Sequence, residues 1–405
     1  MCYPALLFLL RGGMNGSLFL LAALSLFLLV KRRDDAISLD KEDMLFIVAM
    51  SSGLIVILIS QLYHHDLIAR YFDSASRFLL AVPILLALRL IKERVIFIVQ
   101  FGFPLGAIAA FAAVMVTDPN ARYNVATSYM NHIHLGDLAL MVGVLSGLSI
   151  NWIQKDGLGV KLLKVAGLIA GLTVSVLSSA RGGWIAIPVF IAVYIYFRIR
   201  GKLVNKVALA MLTIGMAGLL GYFFVDPIRQ RMWMIYSDLS LFTAGNADTS
   251  IGIRLQLWRA AFHLIAENPV FGVGADGFGR AMDTLSASGF ITPIAADLGK
   301  GEVHNEILAN TVRFGIFGLL SILAIYFVPF YLFLRAVKSG THQQKGAGMM
   351  GMCLTLGFFL FGLTVETFDL KMTAAFYSLT VAVLLAAATH KQSTGESHLT
   401  KSLGA

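Results

Sequence analysis

Long apolar runs broken by short polar ones set the pattern of this chain. The runs fall at 3–12, 15–30, 44–61, 75–90, 95–116, 131–152, 162–178, 183–198, 204–225, 307–334, 346–366 and 371–390. Most have the length that a helix rising 1.5 Å per residue needs to cross a hydrocarbon layer roughly 30 Å thick. The pattern therefore predicts an all-α polytopic membrane protein with about twelve transmembrane helices. The first two runs, on either side of Arg11-Gly12-Gly13, could instead form one broken helix.

One stretch departs from this pattern. From Asp226 to Glu306 the chain is largely polar. Within it Ile251, Leu255, Trp258, Phe262 and Ile265 recur at helical spacing. Thr249 or Ser250 can cap the start, and Asn268-Pro269 ends the run. This predicts an amphipathic helix of about four turns lying at the membrane interface or against the spans, with Arg254 and Arg259 bordering its apolar stripe. The chain divides into an N-terminal bundle of about nine spans over 1–225, a large loop over 226–306, three further spans over 307–390 and a disordered tail over 391–405.

Composition agrees. Apolar residues make up 58% of the chain and charged residues 14%, where a soluble domain carries about 25%. Mean hydropathy is +0.78. Cys2 and Cys353 fall in or beside apolar runs and suggest neither a disulfide framework nor a cysteine metal site. No cleavable leader pattern is present, so the first apolar run is expected to serve as the insertion signal.

Charge gives the orientation. Alternate loops hold 19 of the 32 lysines and arginines, among them Lys31, Lys41, Arg89, Lys155, Lys164, Arg198, Lys206, Arg335 and Lys345. By the positive-inside rule these loops and both termini are cytoplasmic, and the large loop is outside, which is periplasmic in a cell with two membranes. The outer set has 11 arginines and only Lys300 and Lys371. A guanidinium grips phosphate or carboxylate with two hydrogen bonds, so an arginine-dominated outer face suggests an anionic ligand.

Several residues could carry chemistry there. Arg181 sits in Ser178-Ser179-Ala180-Arg181-Gly182-Gly183, a tight outer turn between two spans; the plainer reading is a snorkelling interface arginine. Arg254 and Arg259 are either ligands or surface anchors of the amphipathic helix, and Arg280 is a weaker candidate. His304, at the mouth of the next span, can take a proton from a hydroxyl, with Glu302 and Glu306 near enough to orient it. A lone histidine at a helix start is more often only an interface polar residue. Arg313 is an intramembrane charge and so a functional hypothesis; structural pairing with Glu366 or Asp369 is the favoured reading. Gly272-Val273-Gly274-Ala275-Asp276-Gly277 matches a dinucleotide pattern only superficially, because no strand precedes it. His64-His65-Asp66 and His132-Ile133-His134 do not present ligands on one helical face, so no metal site is expected.

These residues resemble a known family. Arg181 in its turn, the run GIRLQLWRAAFHLIAENPVFGVGADGF at 252–278 and HNEILANTVRFGIFGLL at 304–320 are similar to the O-antigen ligase/polymerase superfamily, and look most like its O-antigen ligases. The resemblance implies a GT-C-like glycosyltransferase without cofactor or metal. It would move O-antigen polysaccharide from undecaprenyl pyrophosphate to a sugar hydroxyl of lipid A-core on the periplasmic face of the inner membrane. It implies membrane lipids as surroundings and no nucleic-acid partner. Carried onto this chain, Arg181 and Arg254 would hold the pyrophosphate and His304 would be the base. Arg259, Arg122, Glu302 and Glu306 are candidate supporting residues. An O-antigen polymerase shares the donor, and a protein-glycosylating ligase is a further relative, though such ligases usually carry extra C-terminal sequence. A flippase or transporter should show inverted repeats and interrupted helices, and no repeat is readable.

Overall fold

The structure, a computed structural model, describes residues 2–32, 39–91, 93–117 and 123–390. Within its helices the side chains of Arg94, Arg181, Pro227, Arg231 and Leu239 lie outside the described residues. Arg122 and the tail expected to be disordered over 391–405 lie outside them as well.

The order is α1 (Tyr3–Leu9), α2 (Gly13–Lys31), α3 (Lys41–Tyr63), α4 (Arg70–Arg89), α5 (Glu93–Phe97), α6 (Val99–Thr117), α7 (His132–Leu148), α8 (Leu158–Ser178) and α9 (Arg181–Trp184). It continues with α10 (Ala186–Arg198), α11 (Leu203–Phe224), α12 (Asp226–Thr243), α13 (Ser250–Glu267), α14 (Gly277–Ala287), α15 (Pro293–Gly299), α16 (Glu306–Ser339), α17 (His342–Gly362) and α18 (Lys371–Thr389). No strand occurs among the described residues. Nine helical segments among them are long and apolar enough to cross a membrane, and His132–Leu148 and Gly182–Arg198 are shorter apolar helices. This is a polytopic helical membrane protein. The first expected span is only the seven-residue α1, about 10 Å long and too short to cross alone. Gly12, at φ +81°, turns the chain into α2.

Two helices form the centre. Most residues of α17 and α18 are buried, whereas Gly221 is the one buried residue of the apolar α11. A helix apolar all round and uncovered by protein is one that lipid covers. α7 is central too, because Gly143 meets the backbone of Gly171 on α8 and lets the two helices pack closely.

The polar contacts sort into two ends. At one, Arg89 bonds Asp43 and Thr389, Lys164 bonds Asp156 and Gln100, and Trp152 bonds the Gln343 carbonyl. At the other, the start of α4, the end of α3, the α8–α9 turn, residues 268–305 and the α17–α18 connection come together.

α16 is broken where this second end meets the bundle. Gly315 has φ +65° and ψ −150°, so the helix is two pieces across a kink. The freed carbonyls of Val312 and Arg313 accept the N–H groups of Val273 and Gly274 at 2.9 and 3.1 Å, and Ile316 N–H bonds the Pro269 carbonyl at 2.9 Å. Residues 269–274 thus thread into the break, and the superficial dinucleotide pattern is a packing device. Gly272, at φ +66°, lies against the Arg313 backbone with no room for a Cβ. Gly272→Ala is expected to cost about 2 kcal/mol or more, read as a lower unfolding midpoint in detergent; an unchanged midpoint would refute this account of the kink.

The amphipathic helix forms as α13, with Thr249 Oγ1 accepting the Gly252 N–H at 3.0 Å. Part of its apolar stripe stays uncovered by protein, as a face turned to the membrane interface would. Leu257, Ala260, Ala261 and Leu264 are buried, while Leu255 and Phe262 are 40% and 61% exposed. The two alanines allow close approach to the rest of the loop and to α16, and the bulkier residues are left pointing outward.

Candidate functional site

His304 is the residue the local structure treats most unusually. It has φ +57°, a left-handed conformation that few non-glycine residues adopt. Val303 before it is fully buried, and Asn305 after it caps α16 by accepting the N–H groups of Ile307 and Leu308, both at 3.0 Å. The Asn305 amide also donates to the Leu363 carbonyl at 3.3 Å. Nδ1 of His304 lies against Oε1 of Glu302. Burial alone would raise the Glu302 carboxyl, but the hydrogen bond from His304 and its charge outweigh that and hold it below the usual carboxylate range. With Nδ1 occupied in this way, Nε2 is the ring atom available to take a proton.

Of the two carboxylates expected to flank His304, only Glu302 does so. Glu306 is buried and turned into the α17–α18 connection, where it accepts the Phe368 N–H and the Asn310 amide, each at 2.9 Å.

The Arg181 turn reaches this neighbourhood. Ser179 is left-handed at φ +58°, and Arg181 opens α9 directly after Ala180. A side chain on Gly182 would collide with Thr364, and one on Gly183 with Asp137 of α7. The turn is therefore packed on the same 363–370 connection that holds Val303 and Asn305.

Arg254 is half-buried on α13. Its neighbours Ile253 and Leu257 belong to the apolar cluster that contains Val303, Ala309 and Val312. Arg259 is directed elsewhere, with its guanidinium 4.3 Å from the centroid of the Phe290 ring. Arg280 pairs with Asp66 at 3.1 Å.

A cavity of about 440 Å³ lies on the other side of Val303 and Glu366. Its lining combines the charged Arg70, Asp276, Lys300 and Lys371 with Tyr71, Asn310 and Arg313 and with the buried apolar Ile57, Phe78 and Ile325. Its charges come in opposite pairs: Arg70 with Asp276, Lys371 with Asp73 and Arg313 with Glu366. Burial would raise Asp276, but hydrogen bonds from Tyr71 and Arg70 prevail and hold its carboxyl low. Arg313 takes one of the two partners the sequence offered it. The rest of the cavity went unseen, because Tyr71 and Asp276 are 205 residues apart and neither has a local pattern. No cluster that could hold a metal occurs among the described residues.

A family model described as O-antigen ligase matches residues 166–323. That span begins before the Arg181 turn and ends beyond His304 and the α16 kink. The O-antigen ligase of Escherichia coli K12 is 24% identical over 252 residues, covering 58% of this chain and 57% of that protein. These matches support a place in the O-antigen ligase superfamily. A Haemophilus influenzae protein described as uncharacterized is 26% identical over 351 residues, covering 84% of this chain and 85% of its own length. Members of this superfamily are glycosyltransferase-like membrane enzymes, and that is the chemistry against which the Glu302–His304 pair is to be read.

Proposed function

We propose that this protein is an O-antigen ligase, transferring polysaccharide from undecaprenyl pyrophosphate to a sugar hydroxyl of lipid A-core. The observation that carries the reading is the His304–Glu302 pair, held on the connection against which the Arg181 turn also packs, inside the region the family model matches. In this reading Nε2 of His304 takes the proton of the acceptor hydroxyl. The hydroxyl oxygen attacks the anomeric carbon from the face opposite the leaving group, which inverts the configuration. The bond from that carbon to the pyrophosphate oxygen breaks, and its electron pair leaves with the diphosphate.

Arg181 and Arg254 neutralise the charge that grows on that oxygen, the usual role of preorganised cations in a site shielded from water. Diphosphate is already a good leaving group, so the reaction needs neither metal nor nucleotide. The paired cavity beside the dyad offers the acceptor head group a chamber with both polar and apolar lining. The site end faces the periplasm and the C-terminus faces the cytoplasm, supported by the lysine-rich loops gathered at the opposite end.

Cells lacking the protein should accumulate long lipid-linked polymer and make lipopolysaccharide without it. Accumulation of single repeat units would assign the chain to the polymerases instead. Purified protein should transfer the glycan in EDTA without added ATP, and a requirement for either metal or ATP would exclude this mechanism.

A further inference from the structure

Glu366 sits on the α17–α18 connection and is only 2% exposed. Its carboxylate joins two segments. Oε1 accepts the Val303 N–H at 2.6 Å, and Oε2 takes the Arg313 guanidinium. Val303 immediately precedes His304, the residue in the left-handed conformation. On the other side of His304, Asn305 is tied to Leu363 of the same connection. The residues on either side of His304 are therefore both fastened to residues 363–366, Val303 by its backbone N–H and Asn305 by its side-chain amide.

Arg313 is itself fixed, because its carbonyl accepts Gly274 N–H at the α16 kink. A continuous chain of contacts thus runs from the kink through Arg313 and Glu366 to the backbone of Val303. Neither nearby acid can replace Glu366. Glu302 touches the His304 ring directly, and Glu306 is engaged by Phe368 and Asn310.

We propose that Glu366 is the positioning residue of His304. It holds the Val303 peptide so that the following residue stays left-handed, which keeps Nδ1 on Glu302 and presents Nε2 outward. It acts on His304 through the backbone. The inference rests on the reading of His304 as the base.

The test is the transfer rate of the purified full chain with a lipid-linked glycan donor and core-lipid acceptor. Glu366→Ala should lower kcat about a hundredfold, the scale of a misplacement near 1 Å, and leave the donor KM within about threefold. Introduced into His304→Ala, the same substitution should cause no further loss, because groups that act through one another are not additive. A merely structural role would lower the rate again in that background, and this outcome would overturn the proposal. So would a Glu366→Ala protein with the wild-type kcat.

A pair of double variants removes the buried charge from the comparison, should Glu366→Ala fail to fold with Arg313 unpaired. Arg313→Gln/Glu366→Gln keeps an oxygen for the Val303 N–H, whereas Arg313→Gln/Glu366→Leu does not. The first should stay within about tenfold of wild type and the second should fall about a hundredfold; equal rates would refute the role of that hydrogen bond. If His304→Ala is itself active, the base assignment fails, and that result differs from failure of the Glu366 inference.

Discussion

His304→Ala is expected to lower the transfer rate by about 10²–10⁴-fold while donor binding survives. The contacts prepare this ring to accept a proton: Nδ1 is held by Glu302, and Glu306 is turned away. Without it the acceptor hydroxyl must give its proton to water or wait until the anomeric bond has largely broken. The measurement is a single-turnover rate beside the affinity for labelled donor. An active variant would take histidine out of the base role, and loss of donor affinity would make it a ligand.

The Glu302 carboxyl, held below its usual range, stays charged through neutral pH. It therefore keeps its hold on Nδ1 throughout the pH range in which an imidazole can act as a base.

Hydrophobic run length made the bundle legible, because a span must keep its backbone bonds internal and its surface apolar for some twenty residues. It left α1 open between a span of its own and half of a broken helix, and the break falls at Gly12 after two turns. Periodicity found α13 and its cap, but did not show that Leu257, Ala260, Ala261 and Leu264 form its protein-packed face. In water the larger apolar side chains would be buried, but beside lipid they can remain outside while Ala260 and Ala261 make the close protein contacts. A charge inside an apolar run announces itself, so the Arg313–Glu366 pair was foreseeable. The hydrogen bond from Val303 to the other oxygen of Glu366 was not, because nothing in a sequence reports that His304 is left-handed. The paired charges of the cavity stayed hidden for a related reason: such pairs form between distant segments and leave no spacing to read.

Arg181→Ala and Arg254→Ala should each cost about 10²–10³-fold, and together should abolish detectable transfer, since each would supply a preorganised cation to the same leaving group. The structural basis is convergence of separate elements on one place. The Arg181 turn is packed against Thr364, and the 363–370 connection in turn holds Val303 and Asn305. α13 carries Arg254 and shares one apolar cluster with Val303. Lysine at either position should recover only part of the rate, because an ammonium keeps the charge and lacks the planar fork that meets two phosphate oxygens. Both effects belong in kcat as well as in donor affinity, since the charge to be neutralised is larger in the transition state than in the bound donor. Variants that bind donor weakly yet turn over at the normal rate once saturated would show that the guanidiniums only capture the substrate, and the electrostatic half of the mechanism would have to come from other groups.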